Sequence, residues 1–211
     1  MSPRKLAGFF LRGFMIVACL AEAAGAAPAK RLVFDVFRGD DRIGSHVTVI
    51  TTDGSRTLVD THTSVDVKVL FFDAYHYEFA AQETLAGGAF ASFVSTTDDN
   101  GTHHQLAVRR KDSAVEIVAD GKTVPATPGV VPGSFWNEGL MRSGTVVMIE
   151  TGALMKVVVK KLGEEKDAAG RKLEHYRVSG DMEREIWFRD GSPVRYRLVA
   201  RDGSIIESRA R

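Results

Sequence analysis

The sequence predicts an all-β protein, folded as a single strongly curved antiparallel meander. Three observations carry this expectation. Turn dipeptides recur at Asp53-Gly54, Gly87-Gly88, Asn100-Gly101, Asp120-Gly121, Asp190-Gly191 and Asp202-Gly203, and such pairs supply the positive φ that tight hairpin turns demand. The runs between them are rich in Val, Phe, Thr and Tyr, with alternating or continuous apolar character. No helical patterns intervene, which argues against βαβ units.

In chain order, Leu32 to Phe37, Ile43 to Thr52, Thr57 to Phe72, Phe90 to Thr97, Gln105 to Arg110 and Val115 to Ala119 read as strands. So do Val146 to Glu150, Leu154 to Leu162, Leu173 to Val178, Met182 to Arg189, Val194 to Ala200 and Ile205 to Ser208. Between these two groups, Pro125, Pro128 and Pro132 punctuate Val124 to Gly133. Proline has no N–H for a ladder, so this stretch is a connecting arm outside the sheet interior. Ser134 follows as a candidate N-cap with Glu138 near the capping-box position, predicting one short helix that carries Phe135, Trp136, Leu140 and Met141. A sheet of so many strands curls, giving a half-barrel or an imperfectly closed barrel.

Residues 1–26 have the secretory order: Arg4, Lys5 and Arg12, then the uncharged run Gly13 to Ala21, then Ala24-Gly25-Ala26. The run is far shorter than the ~20 residues of a membrane-spanning helix. Cleavage after Ala26 leaves residues 27–211 as one β-rich domain, exported to the periplasm. A second processing is also written there: Ile16-Val17-Ala18-Cys19 fits a lipobox, which would anchor the chain through a lipidated Cys19. In the first case the sole cysteine departs with the signal, so the mature domain relies on its core rather than on disulfides. Loss of Arg4, Lys5, Arg12 and Glu22 moves the formal charge from +1 to about −1, too weak a field to recruit nucleic acid.

The last third alternates Met182, Ile186 and Phe188 with Glu183, Glu185 and Arg189, and Val194, Tyr196 and Leu198 with Arg195 and Arg197. That is a sheet with one apolar and one wet face. Arg177, Arg184, Arg195, Arg197 and Arg201 sit among Glu174, Glu183 and Glu185, so they read as cross-strand charge pairs on the wet face.

Chemistry-bearing patterns are sparse: there is no phosphate loop, no Gly-x-Ser-x-Gly elbow and no cofactor motif. Asp98-Asp99-Asn100-Gly101 lacks the later ligands of a calcium loop and reads as an Asx-stabilised turn. His103 and His104 are adjacent, so a strand sends them to opposite faces. His46 and His62 are the metal candidates, with Asp60 or Asp66 as third ligand, against the plainer reading of two histidines meeting on an exposed polar face. Matching apolar partners across a three-residue Asp53-Gly54-Ser55 loop sets Val49 opposite Val59 and His46 opposite His62. Tyr75, Tyr77 and Phe79 at period two, together with Phe135 and Trp136, are the candidates for a ligand-lining face and its lid, against the plainer reading of aromatics at this spacing as core or barrel lining.

The order of several pieces resembles a known family. Phe34-Asp35-Val36-Phe37 precedes Ile43-Gly44-Ser45-His46, then Val67 to Phe72, Tyr75-His76-Tyr77-Glu78 and Asp98-Asp99-Asn100-Gly101. Ser134-Phe135-Trp136-Asn137 follows the prolines, and Ile186-Trp187-Phe188 precedes Asp190-Gly191. Together they are similar to an uncharacterised family of exported bacterial proteins, the domain of unknown function DUF6134. The resemblance implies a curved antiparallel β-fold and a periplasmic location, and it assigns no activity and no catalytic residue.

The functional expectation is therefore a non-enzymatic envelope protein whose bent sheet binds a hydrophobic ligand or an envelope partner, with Trp136 on the covering segment. Two alternatives stand beside it: an envelope hydrolase with His46 or His62 as general base, and a structural or assembly factor recognised through its sheet edges.

Overall fold

The computed structural model describes residues 29–69, 72–112, 114–126, 128–200 and 202–211. The expectations placed on residues 1–26, Cys19 among them, and on Arg201 lie outside these described residues. Fifteen strands follow one another: β1 (Ala29–Arg38), β2 (Asp41–Asp53), β3 (Arg56–Val69), β4 (Phe72–Ala86), β5 (Ala89–Asp99), β6 (Thr102–Lys111), β7 (Ala114–Ala119), β8 (Lys122–Val124), β9 (Val131–Pro132), β10 (Gly144–Val147), β11 (Leu154–Lys166), β12 (Lys172–Gly180), β13 (Arg184–Arg189), β14 (Ser192–Val199) and β15 (Ile205–Ala210). They form one sheet in the order β8-β7-β6-β5-β4-β3-β2-β1-β15-β14-β13-β12-β11-β10-β9. Every pairing is antiparallel except the parallel contact of β9 with β10.

The hairpins close as their turn residues dictate. Gly87-Gly88, Asn100-Gly101, Asp120-Gly121 and Asp190-Gly191 each hold positive φ at both central positions, the geometry whose twist matches that of the flanking strands. The meander runs outward from β1 to β8, crosses at the prolines, and returns from β9 to β15, which pairs with β1 through Phe34 opposite Ala210 and Val36 opposite Ser208.

The crossing bends the sheet. β8 and β9 are its two edges, yet the chain from Val124 to Val131 spans at most about 25 Å when fully extended. The sheet must curl until its ends approach, and the prolines leave them unable to complete a ladder. The sheet therefore stays open, and side chains and strand-free segments occupy its inside. Ser95 Oγ donates to the Ile149 carbonyl at 2.6 Å and Thr97 Oγ1 to the Glu150 carbonyl at 3.3 Å, fastening the β10–β11 turn across β5. Phe79, Phe90, Phe93, Leu106, Val108 and Ile117 pack there with Val130 and Val147. A second cluster joins Phe135 to Val146, Val157, Val178, Met182, Ile186 and Phe188.

Three expectations change. The segment after the prolines forms no α-helix among the described residues. Ser134 to Trp136 has no regular structure, and a single 3-10 turn covers Glu138–Leu140, capped by the Asn137 side chain accepting from the Gly139 N–H. Ser134 does not cap because its hydroxyl donates to Glu83, and Glu138 instead accepts from the Tyr176 hydroxyl at 2.6 Å. The expected strand Thr57 to Phe72 is β3, and a separate strand absent from the expectation, β4, starts at Phe72. The third change is Arg184. It leaves the wet face and points inward to Glu150, 3.5 Å away, while Arg177 does pair with Glu185 at 2.7 Å.

Gly152 shows how closely the β10–β11 turn seats. At φ +79, a Cβ there would lie 2.6 Å from Ala119 Cβ and 3.0 Å from Leu106 Cδ1. Gly152→Ala combines left-handed strain with this clash and is expected to destabilise the protein by about 2–3 kcal/mol. Urea unfolding measures it, and a loss below about 0.5 kcal/mol would mean that the turn is not seated on β6 and β7.

Candidate functional site

The β2–β3 hairpin determines which histidine faces where. Asp53 pairs with Arg56, so the loop has two residues, with Gly54 at φ +54 in the first central position. Thr63 then faces His46, His62 faces Val47, and Asp60 faces Val49. The predicted register is off by one, so His46 and His62 do not face each other and lie on opposite faces of the hairpin. The physical reason is that the inner face of this hairpin is partly polar. Thr48 and Thr61 point inward while Val47 and Val49 point outward, so matching apolar residues selected the wrong alignment. Among the described residues no three His, Cys, Asp or Glu side chains converge to hold a metal ion.

His46 lies on the inner face between Phe34 and Tyr196, at ring centroid distances of 5.4 and 6.0 Å. Its Nδ1 is 2.7 Å from Thr63 Oγ1, and its Nε2 is 3.2 Å from Thr48 Oγ1. Burial, reinforced by the Arg184 charge, lowers its pKa to about 4. Tyr77 stands nearby on β4, its hydroxyl pKa pushed up by burial and then by the Glu150 carboxylate. Both imidazole nitrogens thus serve packing and hydrogen bonding.

Glu83, on β4 between Val59 and Phe93, is a further polar group of this face and is only 3% exposed. Its Oε2 accepts from Ser134 Oγ at 2.8 Å and from Trp136 Nε1 at 2.9 Å. Between these two anchors Phe135 is buried at φ +45, with its carbonyl 3.4 Å from the Tyr196 hydroxyl. For a bulky L-residue that backbone state costs about 1–2 kcal/mol. Phe135 is therefore part of the interior filling, and the half-buried Trp136 is tied to it through Glu83. Tyr75 donates its hydroxyl to Asp99 at 2.7 Å.

The opposite face is open. A trough of about 590 Å³ crosses β2 to β5, its floor made by Val47, Val49, Ala80 and Val94, its rim by Arg31, Asp60, His62, Gln82 and Thr96. Val94 is 41% exposed, and Gln82 donates to Asp60 at 2.9 Å across the rim. A smaller pocket of about 230 Å³ shares His62, Ala80 and Thr96 with it and adds Glu78, Asp98 and His103. His62 lies 3.4 Å from Glu78 and His103 3.6 Å from Asp98. Further along the wet face, Trp187 is buried between the His175 ring at 4.1 Å and the Arg195 guanidinium at 3.5 Å.

Sequence reasoning missed Glu83, Glu150 and the inward turn of Arg184, and it assigned no role to Val94 or Ala80. One signal was available. Phe79, Ala81, Glu83 and Leu85 form a period-two stripe in which one charge interrupts apolar residues.

Two measurements check this geometry. In a Cys19→Ser background, His46→Cys with Thr63→Cys should form a disulfide under mild oxidation, and His46→Cys with His62→Cys should not. The reverse result would restore the three-residue loop. His46 should also titrate near 4 by NMR. Because its folded pKa lies below its unfolded value of 6.5, its contribution is complete above 6.5 and lost as pH falls toward 4. The full effect is on the order of 3 kcal/mol. An ordinary titration near 6.5 would show an exposed ring.

No curated protein matches the chain. Among solved structures it is similar to the crystal structure of a beta-barrel-like protein of domain of unknown function DUF1849 from Brucella abortus. The match has a TM-score of 0.52 and 12% identity, and covers 88% of this chain and 96% of that one. At that identity the likeness concerns the fold alone. Among the described residues no helix is long and apolar enough to cross a membrane. Residues 34–211 match the family described as Domain of unknown function (DUF6134), and the chain belongs to it.

Proposed function

We propose that the chain is an exported, non-catalytic docking protein of the cell envelope that receives an extended, aliphatic segment of a partner in the β2–β5 trough. One observation carries this reading: the inner face is filled by the chain's own segments, while the open concavity lies on the opposite face, with an apolar floor and a polar rim. Small-ligand pockets enclose about 70–90% of their ligand. A trough open along its length suits a chain laid across it, with side chains entering at Val47, Val49, Ala80 and Val94 and the rim residues Asp60, Gln82 and Thr96 meeting its backbone. Export is supported by the basic, apolar and small-residue order of residues 1–26. The filled interior and the doubly engaged His46 favour docking over hydrolysis by a histidine base.

A photo-crosslinking residue placed at Val94 tests it in cells. A discrete adduct is expected from position 94, lost on Ala80→Arg, with no equal adduct from position 199, where Val199 is 62% exposed at a remote site. Equal adducts at the two positions, or none at 94, would remove the trough as the docking surface. A lipid retained in native mass spectrometry and displaced by Ala80→Arg would replace the partner with a small hydrophobic ligand.

A further inference from the structure

We propose that Glu83 is the latch of a strap formed by residues 133–138, and that ionisation of its carboxyl loosens the strap from the inner face. Polar contacts fasten the strap on either side of the buried Phe135. Ser134 and Trp136 converge on one oxygen of Glu83, the Gly133 N–H donates to the Val147 carbonyl at 2.9 Å, and the Tyr196 hydroxyl reaches the Phe135 carbonyl. Beyond it, the Glu138 N–H donates to the Gly191 carbonyl at 3.3 Å, and its carboxylate receives Tyr176. The segment between the two Glu83 anchors contains Phe135 at φ +45, so the backbone relaxes when the strap leaves. Its departure also uncovers the apolar seat of Phe135 among Val146, Val178, Ile186 and Phe188.

The surroundings of Glu83 make its ionisation decisive. Val59 faces it from β3 and Phe93 from β5, Ala81 and Leu85 flank it on β4, and the strap presents Ser134 and Trp136. None of these carries a charge. Glu150 and Arg184 act on Tyr77, further along the same face of β4, and not on Glu83. Burial raises the Glu83 pKa, and the Ser134 and Trp136 hydrogen bonds only partly oppose this. With the strap released, the carboxyl meets water and returns toward 4.5. A group whose pKa is higher in the seated state favours seating below its released value, and that preference is lost as pH rises through the seated value. The strap is therefore tightest in acid and loosens toward neutral pH.

The test uses the full chain labelled with 5-fluorotryptophan, whose two tryptophans give two fluorine resonances, assigned through Trp136→Phe. Accessibility to a soluble paramagnetic quencher is followed from pH 4.5 to 8. The Trp136 signal should become at least threefold more accessible over this range, while the Trp187 signal stays constant. Glu83→Gln, neutral and of the same shape, should hold Trp136 at the low-pH value throughout. Ser134→Ala removes a bond that lowers the Glu83 pKa, so the rise should extend to higher pH. A pH-independent Trp136 in the native protein, or an unchanged dependence in Glu83→Gln, would overturn the latch. If Glu83→Gln does not fold, Ser134→Ala decides: a displaced profile supports the latch, and an unmoved one overturns it.

Discussion

The two edges of the sheet, β8 and β9, are consecutive in sequence, and the prolines between them cannot donate the hydrogen bonds that would join them. These two facts pull in opposite directions. The short connection holds the ends near one another, while Pro125 and Pro128 in it and Pro132 in β9 offer no N–H to a ladder across the gap. The structure meets this conflict by placing chain inside the curl. Segment 130–136 and the β10–β11 turn lie against the inner face, and Val130, Val147 and Phe135 complete the apolar clusters on both sides. The pairing of β1 with β15 at the centre of the sheet is the counterpart, since both halves unroll from it.

Placing backbone inside a sheet brings polar groups with it, and each must be satisfied away from water. Carbonyls of the β10–β11 turn are met by Ser95 and Thr97. The strap hydroxyl and indole are met by Glu83, and Arg184 faces Glu150 of the turn. Buried polar groups are weak evidence for stability, because desolvation offsets much of what their bonds contribute. Their value here is positional. A purely apolar inner face would let the strap and the turn slide over one another, whereas paired donors and acceptors select one arrangement.

Legibility in the sequence follows the range of the interactions. The hairpin turns are legible because positive φ is a local demand, and Asn100-Gly101, Asp120-Gly121 and Asp190-Gly191 sit where that demand arises. The seam at the prolines is legible for the same reason. β4 is not, because Ala80, Ala81, Gln82 and Glu83 have poor strand propensity and are held extended by both neighbouring strands. The register of β2 with β3 is not legible either. The alignment argument assumes that apolar means inside, and a threonine-lined interior inverts that assumption. The strap is hidden most thoroughly. Ser134 and Glu138 spell a helix start to a local reading, and only the distant partners Glu83 and Tyr176 withdraw them from that role.

A sheet is one residue thick, and this links the two faces of β2 to β5 more directly than distance suggests. Glu83, which anchors the strap inside, is the chain neighbour of Gln82 on the trough rim. Phe93, which packs beside Glu83, is the neighbour of Val94 on the trough floor. Thr48, beside Val47 and Val49, shares a hydrogen bond with the histidine that packs against Tyr196, whose hydroxyl meets the strap. The residues that meet the inner filling thus alternate along the chain with those that line the trough. With its edges unjoined, the sheet has no closed ladder to hold its curvature there. The strands β3 to β5 that carry the trough on one face thus carry the filling of the interior on the other.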